Sequence, residues 1–320
     1  MMNRKELITK IYKNLIDLTS YSKIRVLVRI LFQNRASKII FLLVFGLIFF
    51  NQIYTRSQVF MPTEYKLVKK IFNKIALNNN LGERPVSIII RAGDDMHYLM
   101  KDLGICKDKK NFCFYFANLD PYKKFRGFRA RDVNYAIKQS YLHGHANATA
   151  SPTGTILINR ATFRVLEGKE KFVAAAIAHE MLHVMQFSPF DASLRTLKVS
   201  QEYPKKTDKE LEEIFLNEDQ KFEAEADLGA ALMLFNADYP KETFVEAMEY
   251  FYKQSGIIHT KGQSKRHPDY ITRIKLIKDF IKNKSFHKKA ISNASAPLRW
   301  QYNRRENWLK FYPSPINKYS

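Results

Sequence analysis

The segment HEMLH, which covers residues 179–183, places two histidines four residues apart with a glutamate beside the first. On a helix, His179 and His183 lie on one face, so both imidazole rings can bind the same metal ion. Glu180 can then take a proton from an attacking water. The surrounding run FVAAAIAHEMLHVMQF is apolar and rich in alanine, so it predicts a largely buried helix rather than one with ordinary surface histidines. Two histidines and a glutamate inside a buried helix need polar partners. The pattern predicts a zinc site.

A catalytic zinc site usually has three protein ligands and one open position, so a third ligand is needed. The segment FEAEAD, residues 222–227, offers two carboxylates four residues apart, Glu223 and Asp227. On a helix these two share a face, whereas Glu225 points elsewhere. One of the pair can bind the metal while the other accepts the spare N–H of a ligating histidine. Small residues nearby predict a helix packed closely against another: Ala224, Ala226, Gly229, Ala230 and Ala231.

These segments form part of a longer resemblance. Residues 147–274 resemble the HtpX and BepA-type zinc metallopeptidases, a membrane-associated family that includes the Oma-type proteases and the CAAX prenyl proteases. Four motifs follow in the family's order: NATASPTG at residues 147–154, HEMLH, EAEAD at residues 223–227, and His267-Pro268 followed by Arg273. There are two departures. Thr153 stands where many relatives have glycine, and only one membrane segment is evident.

The resemblance implies a zincin-like metallopeptidase domain with a small sheet, an edge strand and a helical C-terminal half. It implies that His179, His183 and Glu223 bind one zinc ion per chain. It also implies that Glu180 is the catalytic carboxylate and that Asp227 supports a ligand.

A protease of this type must hold its substrate extended, and an exposed strand offers unpaired backbone groups for that purpose. The small, uncharged residues Asn147, Ala148, Thr149 and Ala150 are the candidate edge strand.

The late motif leaves several roles open. Pro268 suits the first turn of a helix, which would place His267 at its mouth, close to a cleft. His267 is then a donor to the oxyanion formed during attack, a plug in the open zinc position, or a helix-capping residue without a catalytic part. Arg273 is expected to pair with a carboxylate of the domain and hold this helix in place.

The elements around the motifs predict an α+β domain in which strands come first and helices follow. Apolar spacing predicts a helix over residues 65–77 and strands over residues 85–91, 112–117, 133–137 and 155–159. Thr207 and Glu210 predict a capping box that opens a long helix ending near Phe235.

The N-terminal part predicts one membrane anchor. Residues 39–55 carry no charge and include the apolar run IIFLLVFGLIFF. This uncharged stretch is at the short end of the roughly 17 to 25 residues that span hydrocarbon. A cleaved signal sequence fits less well, because the lead is 38 residues long and no cleavage motif follows the run. Residues 1–38 hold nine Lys and Arg against two Asp and Glu, which favours a cytoplasmic N-terminus.

The predicted organisation of the whole chain is a basic segment (1–38), the anchor (39–55), the peptidase domain (60–283) and a basic aromatic tail (284–320).

The composition excludes other classes. The 320 residues hold 53 Lys and Arg against 31 Asp and Glu, for a net charge of +22. The excess is concentrated at the two ends, and no zinc finger, RNP-like run or helix-turn-helix motif is present, so membrane lipid is the expected anionic partner and nucleic acid is not. Two cysteines exclude a disulfide scaffold. Cys106 and Cys113 pair if the domain lies outside the cytoplasm and are free thiols if it lies inside.

Together these features predict a membrane-anchored zinc endopeptidase that cleaves membrane-associated or misfolded proteins. The expected location of its catalytic domain is the bacterial periplasm, with the mitochondrial inner membrane as the alternative. A second hypothesis is a chaperone-like binding module with a latent zinc site. The intact Glu180 favours the enzyme, since a binding module would not need that carboxylate. Oligomeric state is left open.

Overall fold

The computed structural model describes residues 35–56, 60–82, 84–107, 109–186, 197–199, 201–204, 206–255, 269–283 and 299–312. The chain divides into two compact units, Met1–Ser57 and Gln58–Ser320.

The described part of the first unit is one helix, α1 (Arg35–Arg56). Its apolar side chains are exposed along most of its length, from Ile39 to Ile53. Over the ranges given above, no helix meets the length and apolarity required to cross a membrane. The anchor expected over residues 39–55 stays a prediction.

The second unit combines helices with one sheet, so the expected α+β class is confirmed. The helices are α2 (Thr63–Asn78), α3 (Met96–Asp102), α4 (Ala130–His143), α5 (Arg160–Val165), α6 (Glu170–Gln186), α7 (Asp208–Asn236), α8 (Thr243–Ser255) and α9 (Tyr270–Lys282), with a 3₁₀ helix at Lys109–Asn118. The strands are β1 (Val86–Arg91), β2 (Ala148–Ala150), β3 (Thr155–Asn159), β4 (Arg299–Asn303) and β5 (Trp308–Tyr312).

The sheet has the order β2-β3-β1-β5-β4. β1 and β3 are parallel, with Ser87 opposite Thr155 and Arg91 opposite Asn159, and the other pairings are antiparallel. Alternate residues of β1 and β3 are buried, because the sheet packs against helices on its apolar face. Within the described chain, β2 lies at an edge of the sheet, as the sequence predicted.

Two predicted strands are helical instead. Residues 112–117 belong to the 3₁₀ helix, which buries Cys113 and Ala117. A disulfide joins Cys106 to Cys113. Tyr115, between the two buried residues, is exposed, so burial does not follow the two-residue alternation of a strand. Residues 133–137 lie in α4, whose buried residues Ala136, Ile137 and Ser140 follow helical spacing.

The last two strands, β4 and β5, follow the helices in the chain and join the same sheet. The prediction that all strands come before the helices is therefore wrong at the C-terminal end. β4 and β5 come from the segment assigned above to a separate tail, yet β5 pairs with the central strand β1. Phe311 packs on Phe72 with ring centroids 4.8 Å apart. The Tyr65 hydroxyl donates a hydrogen bond to the Asn307 carbonyl at 2.8 Å. This hairpin therefore completes the core of the unit.

Helices α6 and α7 carry the predicted chemistry and pack closely together. The Thr207–Glu210 capping box opens α7, as predicted, and this helix continues to Asn236. At the contact, a Cβ atom built on Gly229 would lie 2.7 Å from Leu182 Cδ1 and 2.9 Å from Leu182 Cγ. Only glycine permits this spacing without displacing Leu182, so Gly229 sets the distance between the two helices.

We predict that Gly229→Val lowers the free energy of unfolding by about 1–3 kcal/mol, because the new side chain overpacks this contact. Chemical denaturation measures the change. Combining it with Leu182→Ala should make the valine less costly than it is alone, since the two positions share one contact. Strictly additive costs would show that these residues do not meet.

Candidate metal centre

The three predicted metal ligands come together between α6 and α7. His179 and His183 lie one turn apart on α6, with their Nε2 atoms 3.0 Å from each other. Glu223 reaches across from α7, with Oε2 3.4 Å from His179 Nε2 and Oε1 3.4 Å from His183 Nε2. The three side chains form a group that can hold a metal ion, with ligand atoms within 4.8 Å of one another.

These distances fit a tetrahedral ion. Nitrogen and oxygen ligands lie about 2.0–2.1 Å from zinc, so neighbouring ligand atoms of a tetrahedral site are about 3.3–3.4 Å apart. The 3.0 Å between the two Nε2 atoms is close to that value, and each Nε2 lies 3.4 Å from one of the two Glu223 oxygens. Two imidazoles and one carboxylate are also the ligand types that suit zinc, and three ligands leave a fourth position open.

Asp227 contacts the other side of His179. Its Oδ1 lies 3.0 Å from His179 Nδ1, and the aspartate side chain is completely buried. A carboxylate this close to Nδ1 favours a proton on that nitrogen, which leaves Nε2 as the atom available to a metal. Asp227 therefore orients one of the two histidine ligands.

Arg273 holds Asp227 from α9. Its Nε and one terminal nitrogen each donate a hydrogen bond to the carboxylate at 2.7 Å, in a bidentate pair. Its other terminal nitrogen donates to the Tyr252 hydroxyl at 3.2 Å. The expectation that Arg273 pairs with a carboxylate is confirmed, and the pair ties α9 to α7.

The start of α9 differs from the prediction. The helix begins at Tyr270, and Asp269 is its N-cap, accepting a hydrogen bond from the Thr272 backbone N–H at 3.1 Å. Asp269 therefore replaces Pro268 as the residue that marks the helix start. His267 and Pro268 lie outside the described residues, so the three roles considered for His267 stay predictions.

The electrostatics of this cluster follow from its burial and its pairing. Burial alone would raise the pKa of Asp227, but hydrogen bonds from Arg273 and His179 hold it below its ordinary value. Burial alone would lower the pKa of His179, but the carboxylates of Asp227 and Glu223 outweigh burial and raise it to about 10. A metal must therefore displace a proton from His179, so we expect binding to weaken as the pH falls.

Glu180 lies beside the ligands on α6 and is 7% exposed. Its negative charge contributes to the raised pKa of His179, which places the carboxylate within electrostatic range of the metal position. His183 is similarly buried. The motif thus sits on a buried helix, as its apolar surroundings predicted.

Two residues of the edge strand β2 have backbone N–H and C=O groups that point away from the neighbouring strand β3. Asn159 N–H donates to the Asn147 carbonyl at 2.9 Å, and Ser151 N–H donates to the Thr155 carbonyl at 2.8 Å. In an antiparallel ladder, alternate residues point their backbone groups in opposite directions. The N–H and C=O groups of Ala148 and Ala150 therefore face away from β3.

Asn147 differs from the other three candidate substrate-binding residues. Its backbone N–H donates to Thr162 Oγ1 at 3.0 Å, and its carbonyl is bonded to Asn159. Its side chain donates to Asp94 at 2.9 Å. These groups bind within the domain and are not open to an incoming strand, so Asn147 anchors β2 and the strand itself comprises residues 148–150.

Asp94, which no sequence motif indicated, fixes this anchor. Asp94 Oδ2 accepts hydrogen bonds from the side-chain amides of Asn147 and Asn159, both at 2.9 Å, while Arg91 donates to Oδ1 at 2.7 Å. Burial alone would raise the pKa of Asp94, but the two amides and Arg91 hold it below its ordinary value. The only sequence signal was an acidic pair, Asp94-Asp95, soon after β1.

We predict that the purified chain binds one zinc ion and that Glu223→Ala loses it, because this carboxylate is one of three ligands. Glu225→Gln is the matched control, since Glu225 is an exposed acid two residues away on the same helix. Elemental analysis of both variants gives the zinc content. Full zinc occupancy in Glu223→Ala would remove Glu223 from the ligand set.

Comparison of the chain with models of known protein families, with curated proteins and with solved structures finds no match. The likeness to the metallopeptidases above rests on the four motifs alone.

Proposed function

We propose that the protein is a membrane-anchored, zinc-dependent endopeptidase with a zincin-like fold that cleaves membrane-associated or misfolded proteins. The observation that carries the proposal is the convergence of two Nε2 atoms and one carboxylate at separations of 3.0–3.4 Å, with Glu180 next to the first histidine. A protein that only stored or was stabilised by the metal would have no use for that additional buried carboxylate.

The proposed chemistry divides the work between the metal and the chain. A zinc ion held by His179, His183 and Glu223 would polarise the scissile carbonyl and make water easier to deprotonate. Glu180 takes the proton from the attacking water and passes it to the leaving amine. Asp227, held by Arg273, keeps the Nδ1 proton of His179 in place while the reaction proceeds at the opposite side of the ring.

The open edge of β2 gives the substrate a place to bind. Ala148 and Ala150 offer backbone donors and acceptors to an extended peptide, and small side chains leave room for it. Helix α6, which carries Glu180, packs against β2. A peptide paired with β2 would thus run beside the metal centre, and recognition through the backbone suits substrates of varied sequence.

Two features support a domain outside the cytoplasm. The uncharged run of α1 follows a basic lead, which favours a cytoplasmic N-terminus. Cys106 and Cys113 form a disulfide, and disulfides persist in oxidising compartments such as the bacterial periplasm.

The test of the function is turnover of an unfolded protein such as casein, with zinc present. We predict that Glu180→Gln lowers the rate by about a hundredfold or more, because it removes the proposed general base and is not a metal ligand. Zinc content should be unchanged. Glu225→Gln should keep full activity, and hydrolysis at the normal rate by zinc-loaded Glu180→Gln would refute the mechanism.

A second prediction concerns the edge strand. Ala150→Pro should reduce turnover strongly, because proline removes one outward N–H without breaking a bond to β3. Ala150→Val keeps the N–H and serves as the control for added bulk. Comparing kcat/KM for the two variants, with the unfolding transition as a check on folding, gives the result. Equal activities would show that substrate does not pair with this N–H.

A further inference from the structure

A group of large aromatic side chains is exposed on the second unit, in elements that carry none of the metal-centre residues. Its members are Tyr98 on α3 and Phe112, Phe114 and Tyr115 on the 3₁₀ helix, exposed by 64%, 53%, 52% and 72%. The His97 ring connects the two elements, since its centroid lies 4.4 Å from that of Tyr98 and 4.3 Å from that of Phe114. We call these four residues the aromatic surface.

The aromatic surface is supported by a disulfide and by a buried apolar cluster. In a 3₁₀ helix, residues three apart are aligned, so Phe112 and Tyr115 share the outer face while Cys113 and Phe116 face inward. Cys113 is buried and is bonded to Cys106. Both cysteines belong to a small apolar cluster, separate from the main core, that also contains Met96, Met100, Ala92, Ala136 and Ile137. Four large exposed rings on a fixed support are unusual for a surface that meets only water.

Basic side chains accompany the rings. Residues 96–132 hold nine Lys and Arg against four Asp and Glu. The exposed members whose side chains the structure describes are Lys101, Lys107, Lys123, Lys124, Arg126 and Arg131. Lys101 follows Tyr98 by three residues on α3, so both lie on one face of that helix. Aromatic rings at headgroup depth together with cations are the composition that binds an anionic lipid surface.

We propose that the aromatic surface docks on an anionic membrane, with the four rings at headgroup level and the exposed lysines and arginines of residues 96–132 near lipid phosphates. This inference rests on the membrane placement of α1 in the proposed function but not on proteolysis. Docking would fix the orientation of the catalytic unit relative to the bilayer. A protein substrate is the competing occupant, and the excess of positive charge in residues 96–132 favours lipid.

The experiment uses the full chain reconstituted into vesicles that contain a photoactivatable phospholipid. One set of vesicles is neutral phosphatidylcholine, and the other also contains phosphatidylglycerol. We expect lipid adducts on peptides from residues 96–118 in the anionic vesicles and at least about fivefold fewer in the neutral ones. Adducts on α1 in both sets act as the internal control for insertion.

The double variant Tyr98→Ser/Tyr115→Ser should reduce the adducts on residues 96–118 by at least about fivefold while leaving those on α1 unchanged. Ile271→Ser is the matched control, because Ile271 is 71% exposed on α9 and lies outside the aromatic surface. Intact disulfide and unfolding behaviour in the double variant confirm that it folds.

Four results would overturn the proposal. Adducts on α1 alone would show that lipid does not reach the aromatic surface, and adducts that the double variant does not reduce would show that these rings do not carry the contact. No adducts on α1 would remove the membrane placement itself. If lipid adducts are absent but the double variant raises KM for casein, the surface binds protein instead. Adduct formation needs no proteolysis, so a failed peptidase assay leaves this test intact.

Discussion

The buried carboxylate of Asp227 holds the candidate metal centre together. Burying a charged group lowers the stability of a fold unless strong hydrogen bonds compensate. Removing one partner of a buried ion pair is strongly destabilising, because the other charge is left buried and unpaired. Asp227 receives two bonds from Arg273 at 2.7 Å and lies 3.0 Å from His179 Nδ1. One side chain thereby joins helices α6, α7 and α9, and it does so through the ring that is proposed to bind the metal.

The spacing of α6 and α7 is the second constraint. Glu223 must approach both histidines, and Gly229, less than two turns further along α7, allows that approach by leaving no side chain against Leu182. The metal position is thus defined by packing on one side and by the Arg273–Asp227 pair on the other. A preformed arrangement of this kind limits the reorganisation that metal binding requires.

The sequence predicted those parts of the site that depend on local spacing. His179 and His183, and likewise Glu223 and Asp227, are four residues apart, and an α-helix alone brings such pairs to one face. The family resemblance indicated which of the two carboxylates would be the ligand.

The anchor of the edge strand was not predictable, because Asp94 meets Asn147 and Asn159 across 53 and 65 residues of chain. The run FCFYFA was predicted as a strand because an apolar run fits either structure. In the fold Cys113 and Ala117 are buried and Tyr115 is exposed, which does not follow the alternation of a strand. The returning hairpin was missed for a similar reason: its pairing partner β1 lies more than 200 residues earlier.

The central claim is that His179, His183 and Glu223 converge on one metal ion. A crystal structure of the full chain purified with zinc, with diffraction data collected on both sides of the zinc absorption edge, tests this most directly. We predict a single strong anomalous peak about 2.0–2.2 Å from His179 Nε2, His183 Nε2 and a Glu223 carboxylate oxygen, with Asp227 within hydrogen-bond distance of His179 Nδ1. A zinc-loaded crystal with its peak elsewhere, or with Asp227 in place of Glu223 as the ligand, would contradict it.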